Sequence, residues 1–181
     1  MRDLRAFFRS APLIEFSGTV YRICPARYCR NALSMRGSFL HGARYNIRAY
    51  FGTLYTSLSS ATAQREMARY FTVQPIGGFV EASIGLKLSR VADLTDRHFL
   101  RRAKLPWEPL TATGFTLTQE IGLRAWEAGI EALLVPSAAN PAEQNLAVFL
   151  DSQDPPWHVE LKSITPTPAS ASITSARERK K

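Results

Sequence analysis

Short apolar runs and longer amphipathic stretches alternate along the chain, and their two periods predict a mixture of strands and helices. The β-branched and aromatic residues at positions 19–24 predict a strand, and those at positions 51–57 predict a second one. Between them, residues 25–40 are polar and rich in arginine, and this composition predicts a loop.

The stretch that follows has the period of a packed helix. A hydroxyl at Ser59 or Ser60 can cap its first turn, and apolar residues then recur at spacings of three and four. These residues are Ala63, Met67, Tyr70 and Phe71. Glu66 falls at the margin of this stripe, so we expect its carboxylate to reach a cleft without being sealed in the core.

The second half of the chain continues the alternation. A turn is expected at Gly77 and Gly78, and residues 79–88 and 91–94 predict two strands that lead into a basic helix near residues 96–104.

A further helix and three further strands follow. Thr116 and Gln119 have the spacing of a capping box and predict a helix that ends at Gly129. The next strand should stop at Pro136, because proline cannot donate a ladder hydrogen bond, and this places Ser137 at the rim of the sheet. The three strands are predicted over residues 131–135, 145–150 and 158–164.

These elements predict an α+β fold, with one domain built on a single mixed sheet over residues 1–165. A chain of 181 residues with 45% hydrophobic content is long enough for one well-cored domain. Residues 166–181 are rich in Pro, Ala, Ser and Thr and end in basic residues, so we predict a disordered basic tail there.

The distribution of charge along the chain indicates an anionic ligand or partner. The formal net charge is +8, and basic residues are in excess over residues 1–104, whereas acidic residues are in excess over residues 105–173. A phosphate-bearing metabolite or a nucleic acid would suit a basic first half.

The N-terminal charges, the lack of a long apolar run and the spacing of the cysteines bear on where the protein is found and whether it binds a metal. Charges at Arg2, Asp3 and Arg5 do not fit an apolar leader, and no run approaches the roughly 20 apolar residues that cross a bilayer. We therefore expect a soluble cytoplasmic protein with no membrane contact. Cys24 and Cys29 lack the ligand spacing of a metal site, so we predict reduced structural thiols and no metal.

The residues around position 44 carry the chemistry needed to hold a pyridine dinucleotide. Arg44 has a planar guanidinium that can bind phosphate oxygens in pairs. Tyr45 and Tyr55 offer rings that can contact a pyridinium cation, and Glu66 supplies an anion. The chain has no Gly-x-Gly-x-x-Gly turn, which disfavours redox use of NAD in a Rossmann fold. NAD is expected here as a substrate, and no cofactor is predicted.

Four motifs follow one another along the chain: Arg44, Tyr45 and Asn46; Leu54 and Tyr55; Glu66 in a helix; and Val135, Pro136 and Ser137. In this order they resemble the RES family, which takes its name from an arginine, a glutamate and a serine. The similarity covers roughly residues 20–150, and the Arg-rich segment 27–40 and the tail beyond residue 165 depart from it. The resemblance implies a fold related to ADP-ribosyltransferases, a bacterial toxin that destroys NAD, and a cognate antitoxin with a helix-turn-helix DNA-binding domain.

The expected reaction breaks the bond between nicotinamide and ribose through an oxocarbenium-like transition state. Nicotinamide leaves as a neutral molecule because it begins as a cation, so no acid is required. We assign catalysis to Glu66, Arg44 and Tyr45. Substrate contacts are assigned to Arg44, Tyr45, Tyr55, Ser137, Arg22 and Asn46.

Two alternatives stay open. The same cleft could pass ADP-ribose to a protein rather than to water or inorganic phosphate. The basic first half and tail could instead bind nucleic acid, although no zinc spacing, helix-turn-helix pair or ribonucleoprotein motif is present. Plainer roles also exist for the site residues, since Arg44 could simply pair with Glu66 and Ser137 could cap a turn. We predict an NAD-cleaving enzyme with no direct nucleic-acid contact.

Overall fold

The structure, a computed structural model, describes residues 3–70, 78–150 and 158–167. These residues form one mixed sheet with helices packed on it, which confirms the predicted α+β class. The helices are α1 (Leu4–Ser10), α2 (Arg36–His41), α3 (Ser60–Tyr70), α4 (Arg97–Ala103) and α5 (Thr116–Glu127). The strands are β1 (Ile14–Pro25), β2 (Leu54–Ser57), β3 (Phe79–Asp93), β4 (Ala132–Pro136), β5 (Gln144–Val148) and β6 (His158–Pro166).

The sheet closes into a ring. Its strand order is β1-β2-β5-β4-β3-β6, and β1 also pairs with β3. Five strands therefore surround an apolar interior, while β6 pairs with β3 beside the ring. The β3–β4 pairing is parallel and the other pairings are antiparallel.

Strand β3 closes the ring because it pairs with β1 along its length and with β4 at its end, beyond a register shift at Ser89 and Arg90. Its first part alternates buried and more exposed residues, and Val80 to Leu88 place their even-numbered side chains in one apolar cluster. Beyond the register shift, Ala92 packs in a second cluster on the other side of the sheet. The two strands predicted over residues 79–88 and 91–94 are thus one irregular strand.

A buried carboxylate supports this irregularity. Glu131 precedes β4 and accepts hydrogen bonds from the backbone N–H of Ser89 at 2.6 Å and of Arg90 at 3.0 Å, and from the Ser89 hydroxyl at 3.2 Å. Two N–H groups at the irregular position, where strand pairing is interrupted, thereby find a partner.

The largest apolar cluster lies between the sheet and helices α1, α4 and α5. In its centre, the aromatic rings of Phe7 and Phe99 meet edge to face with centroids 5.3 Å apart, and Phe51 stacks on Trp126. This cluster also contains Tyr45, which joins the predicted site to the core.

Several sequence predictions are wrong in their local detail. Helix α1 was not predicted, although Asp3 caps it and Leu4, Phe7 and Phe8 bury its apolar face. The predicted loop at residues 25–40 contains a 3₁₀ helix, Ala26–Asn31, and helix α2. Strand β2 begins at Leu54 rather than at residue 51, because residues 51–53 connect the loop that carries Asn46 to the sheet.

The predicted capping box is also wrong. Thr116 is the first residue of α5, and Phe115 holds the cap position without a side-chain hydrogen bond. Gln119 turns its amide away from its own helix and donates to the carbonyls of Ala43 and Asn46. A contact with a distant loop thus replaces the local cap.

The end of the described chain is ordered a little further than predicted. Strand β6 continues to Pro166, and Thr167 is buried and donates from its backbone N–H to the Phe79 carbonyl. Predictions for Phe71, for Gly77 and for residues 168–181 fall outside the described residues. Across the three described ranges, no helix has the length and apolar character needed to span a bilayer.

Replacing Glu131 with Ala should lower the free energy of unfolding by about 2–3 kcal/mol, because two backbone donors at the irregularity of β3 lose a charged acceptor. Urea unfolding measures this change. Glu15→Ala removes an exposed carboxylate from β1 and should change stability by less than about 0.5 kcal/mol. Equal losses for the two variants would contradict the role assigned to Glu131.

Candidate active site

The Glu66 carboxylate is the centre of the candidate site. It projects from α3 toward the loop after β4, where its Oε1 accepts hydrogen bonds from the Ser137 hydroxyl at 2.6 Å, the Asn145 amide at 2.7 Å and the Ala139 backbone N–H at 3.3 Å. All three hydrogen bonds end on the same oxygen, Oε1, and none of them engages Oε2. Glu66 is partly exposed, as its position at the margin of the apolar stripe predicted.

Ser137 is placed by the loop that it caps. It is fully buried just beyond Pro136, and its hydroxyl oxygen accepts from the backbone N–H of Ala139 at 3.2 Å and of Asn140 at 3.1 Å. The loop donors leave the hydroxyl hydrogen for Glu66. Ser137 therefore acts as a turn residue and a carboxylate donor together.

The structure places Asn145, which is not among the predicted site residues, against Glu66. Its Nδ2 donates to Glu66, while its Oδ1 accepts from the Ser57 hydroxyl at 2.7 Å. The pairing of β2 with β5 sets Ser57 directly across from Asn145. The available sequence signal was a polar residue in an otherwise apolar strand, close after Ser137.

A second carboxylate ties α3 to the same loop. Glu143 accepts a hydrogen bond from the Thr62 hydroxyl, one helical turn before Glu66, and pairs with the guanidinium of Arg65, the residue next to Glu66. Its backbone carbonyl accepts from the Ser137 N–H at 2.8 Å. The Thr62 hydrogen bond, opposed by partial desolvation and supported by Arg65, holds the pKa of Glu143 below its ordinary value of 4.5.

Arg44 is anchored instead of paired with Glu66. Its Nη1 donates to the carbonyls of Ala112 at 2.7 Å and Leu110 at 3.3 Å, and its guanidinium lies 4.8 Å from the centre of the Phe115 ring. Only 8% of the residue is exposed. The N–H groups on Nε and Nη2 are not part of these two hydrogen bonds, so a guanidinium with five donors keeps capacity for an anion.

Tyr45 is buried to 1% exposure, so its ring belongs to the core and does not face solvent as a flat surface for a pyridinium. Within the described residues, its hydroxyl has no hydrogen-bond partner. Burial raises the pKa of this phenol, the Arg44 charge opposes that effect and the Glu66 charge adds to it. Tyr45 therefore shares one electrostatic environment with Arg44 and Glu66.

Tyr55 and Asn46 hold the turn that carries Arg44 and Tyr45. The Tyr55 hydroxyl accepts from the Tyr45 backbone N–H at 2.8 Å and donates to Asn46 Oδ1 at 3.0 Å. The Asn46 amide donates to the carbonyls of Ser38 and Phe51, and the residue is fully buried. Tyr55 stays partly exposed and can touch a ligand, whereas the polar atoms of Asn46 are committed to the loop.

Arg22 lies apart from this group. Its Nη1 donates to the carbonyls of Ala32 and Ser34 at 2.9 Å each, and so holds the Arg-rich segment onto β1. Burial lowers the pKa of this guanidinium, and the nearby Cys24 opposes that change. The structure thus gives Arg22 a role in folding that its predicted phosphate contact would have to share.

We also compared the predicted site with the other places where a ligand or metal could bind, namely a cavity, the cysteines and clusters of metal-binding side chains. A cavity of about 380 Å³ lies beside α4, and none of the predicted site residues lines it. Both cysteines are free thiols. In the described ranges, no three or more His, Cys, Asp or Glu side chains cluster as a metal site would require.

Comparison with known proteins identifies the family. The model of the RES domain matches residues 19–168, which include the anchored arginine, the bound glutamate and the capping serine. The chain belongs to the RES family. The match begins at β1 and runs beyond the predicted span of 20–150 to include β6.

The fold of this RES protein is also found in a solved structure, the crystal structure of the M. tuberculosis MbcT–MbcA toxin–antitoxin complex. One chain of that complex is 24% identical, and the match covers 97% of the RES protein and 98% of that chain with a TM-score of 0.78. At this identity the likeness establishes the shared fold. No curated protein matches the chain.

We expect the free energy of unfolding to depend on pH through the ionisation of Glu143. Because its folded-state pKa is lowered, its stabilising contribution is complete above pH 4.5 and is lost as the pH falls through the folded value. We expect the wild type to exceed Glu143→Gln in unfolding free energy at pH 7, with the gap closing at lower pH. Urea unfolding at a series of pH values measures the gap, and a constant difference down to about pH 3 would contradict the assignment.

Proposed function

We propose that this RES protein cleaves the bond between nicotinamide and ribose in NAD and passes ADP-ribose to water or inorganic phosphate. The observation that supports the proposal most directly is the Glu66 carboxylate, whose orientation is set by the three donors from the β4–β5 region. A preoriented anion stabilises positive charge that develops on a sugar, and it needs no reorganisation during the reaction.

The chemistry balances without an acid. The C1′–N bond breaks, its electron pair stays on the ring nitrogen, and the pyridinium becomes neutral nicotinamide. Positive charge on C1′ is stabilised by Glu66 until an oxygen of water or phosphate attacks the carbon. When water attacks, its proton leaves to solvent or to the free oxygen of Glu66.

The partly exposed residues define the side from which NAD enters. Glu66, Tyr55 and Asn145 keep exposed surface, whereas Arg44, Tyr45 and Ser137 are buried. We therefore place the nicotinamide ring against Tyr55, where contact between a cation and an aromatic face contributes about 0.5–2 kcal/mol. The remaining donors of Arg44 bind the pyrophosphate, and the Tyr45 hydroxyl hydrogen-bonds to a ribose hydroxyl.

A biological role follows from the chemistry. An enzyme that drains NAD would poison its own cell, so we propose a bacterial toxin that is held inactive by a cognate antitoxin with a helix-turn-helix DNA-binding domain. The similarity in fold to a chain of a toxin–antitoxin complex supports this proposal.

Proton NMR of NAD mixed with the purified protein, with and without phosphate, tests the reaction. The wild type should release nicotinamide, and Glu66→Gln should reduce the rate by about 10²–10³-fold, because the amide keeps the hydrogen bonds to Oε1 but lacks the charge. Release that requires phosphate identifies phosphate as the acceptor. Label from NAD that appears on protein would identify the ADP-ribosyltransferase alternative.

Glu160→Gln is the matched control, since it neutralises an exposed carboxylate on β6. Induced expression of the wild type, but not of Glu66→Gln, should lower cellular NAD and stop growth. Intact NAD in every arm with well-folded wild-type protein would refute the proposed reaction.

Tyr45→Phe separates catalysis from stability. Removing a buried hydroxyl that has no partner among the described residues should leave the melting temperature unchanged or higher, whereas nicotinamide release should fall by about tenfold through loss of one substrate hydrogen bond. Calorimetry and the NMR assay measure the two effects. Full activity in this variant would remove Tyr45 from the reaction.

A further inference from the structure

Helix α5 makes close contacts with the turn that carries Arg44 and Tyr45. We propose that Gly122 and Gln119 on this helix are positioning residues that set where Arg44 and Tyr45 stand relative to Glu66. The proposal rests on the NAD cleavage proposed above. It assigns a function to a helix that contributes no side chain to the predicted site.

Gly122 permits the closest approach. It lies inside α5, and a Cβ atom built on it would stand 1.9 Å from the Tyr45 carbonyl oxygen and 2.7 Å from the Tyr45 carbonyl carbon. Both neighbours are backbone atoms, so no side chain can rotate away to make room. Glycine weakens a helix interior relative to alanine. Its presence here is explained by the backbone of the turn, which occupies the space of a side chain.

Gln119 holds the two ends of the same turn. Its Nε2 donates to the carbonyl of Ala43 at 3.1 Å and to that of Asn46 at 3.4 Å. Between these two residues the turn has its own backbone hydrogen bonds, at 3.1 and 3.4 Å. Arg44 and Tyr45 are the central residues of the turn, so the direction of both side chains depends on how it sits.

A third contact continues along the same face of α5. Trp126 lies one helical turn beyond Gly122 and stacks on Phe51 with ring centroids 5.1 Å apart and planes within 12°. Phe51 in turn accepts a hydrogen bond from Asn46 through its carbonyl. The helix thus contacts the segment from residue 43 to residue 51 at both ends and in its middle.

These contacts matter because the site is assembled from two separately held halves. Glu66 is fixed by donors from the β4–β5 region, whereas Arg44 and Tyr45 are fixed by the turn, by Tyr55 and by α5. A shift of the turn displaces the backbone from which Arg44 and Tyr45 project, against the carbonyls of residues 110 and 112 that hold the guanidinium, and leaves Glu66 in place. Misplacement by about 1 Å is enough to reduce catalysis by about 10²-fold.

The test uses four variants of the full-length protein. Gly122→Ala should lower kcat for NAD cleavage by about 100-fold, with a smaller rise in KM. Gln119→Met keeps the length of the side chain without its donors and should lower kcat by about tenfold. Gln119→Lys restores an N–H donor and should return kcat to within about threefold of the wild type. Gly37→Ala is the control, because a Cβ on this exposed helical glycine meets nothing within 4 Å.

Amide hydrogen exchange at Tyr45 and Asn46 supplies a readout that does not depend on activity. Exchange should accelerate in Gly122→Ala and Gln119→Met, while β4 amides keep their protection. Equal kcat values for Gln119→Met and Gln119→Lys, or wild-type kcat in Gly122→Ala, would overturn the proposal.

Two further outcomes, a variant that does not fold and a wild type that leaves NAD intact, still allow the positioning role to be judged. If Gly122→Ala does not fold, the comparison of the Met and Lys variants at position 119 supports or overturns the positioning role. If the folded wild type leaves NAD intact, the proposed reaction fails, and unchanged exchange at Tyr45 and Asn46 in the variants would separately reject the positioning role.

Discussion

The structure of the site depends on one oxygen atom, Oε1 of Glu66, on which three donors from the β4–β5 region converge. A helix and two neighbouring strands meet at this atom, because Ser137 and Asn145 reach it only when β4 and β5 pair in register. The hydrogen bonds to Glu66 therefore join the geometry of the candidate site to the closure of the sheet. Arg44 does not pair with Glu66, and its guanidinium donates to the carbonyls of Leu110 and Ala112.

The other part of the candidate site, Arg44 and Tyr45, is held by contacts with backbone atoms rather than by side-chain donors. Arg44 and Tyr45 owe their positions to backbone contacts, from the carbonyls that anchor the guanidinium to the helix that approaches Tyr45 at Gly122. In the candidate site, the Glu66 carboxylate is accessible to solvent, whereas Arg44 and Tyr45 are buried and held in place by their neighbours. This arrangement suits a reaction in which charge moves from the leaving group to the sugar while the remaining groups stay in place.

The sequence predicted which residue types make up the candidate site, but it did not predict how those residues are buried and arranged. Arg44, Glu66 and Ser137 could be singled out because their residue types and order match a family pattern. The burial of Tyr45 could not be foreseen, since it depends on Gly122, which is distant in sequence. Asn145 was not predicted as a site residue for a similar reason: its contact with Glu66 depends on strand pairing, and periodicity does not determine which strands pair.

A crystal structure of Glu66→Gln soaked with NAD tests the central claim most directly. We predict that the ribose C1′ atom lies beside residue 66, that the nicotinamide ring packs against Tyr55, and that the pyrophosphate contacts Arg44. NAD bound only elsewhere on the surface, for example in the cavity beside α4, would contradict the assignment of the site. So would crystals that show no bound NAD at concentrations that saturate the wild-type reaction.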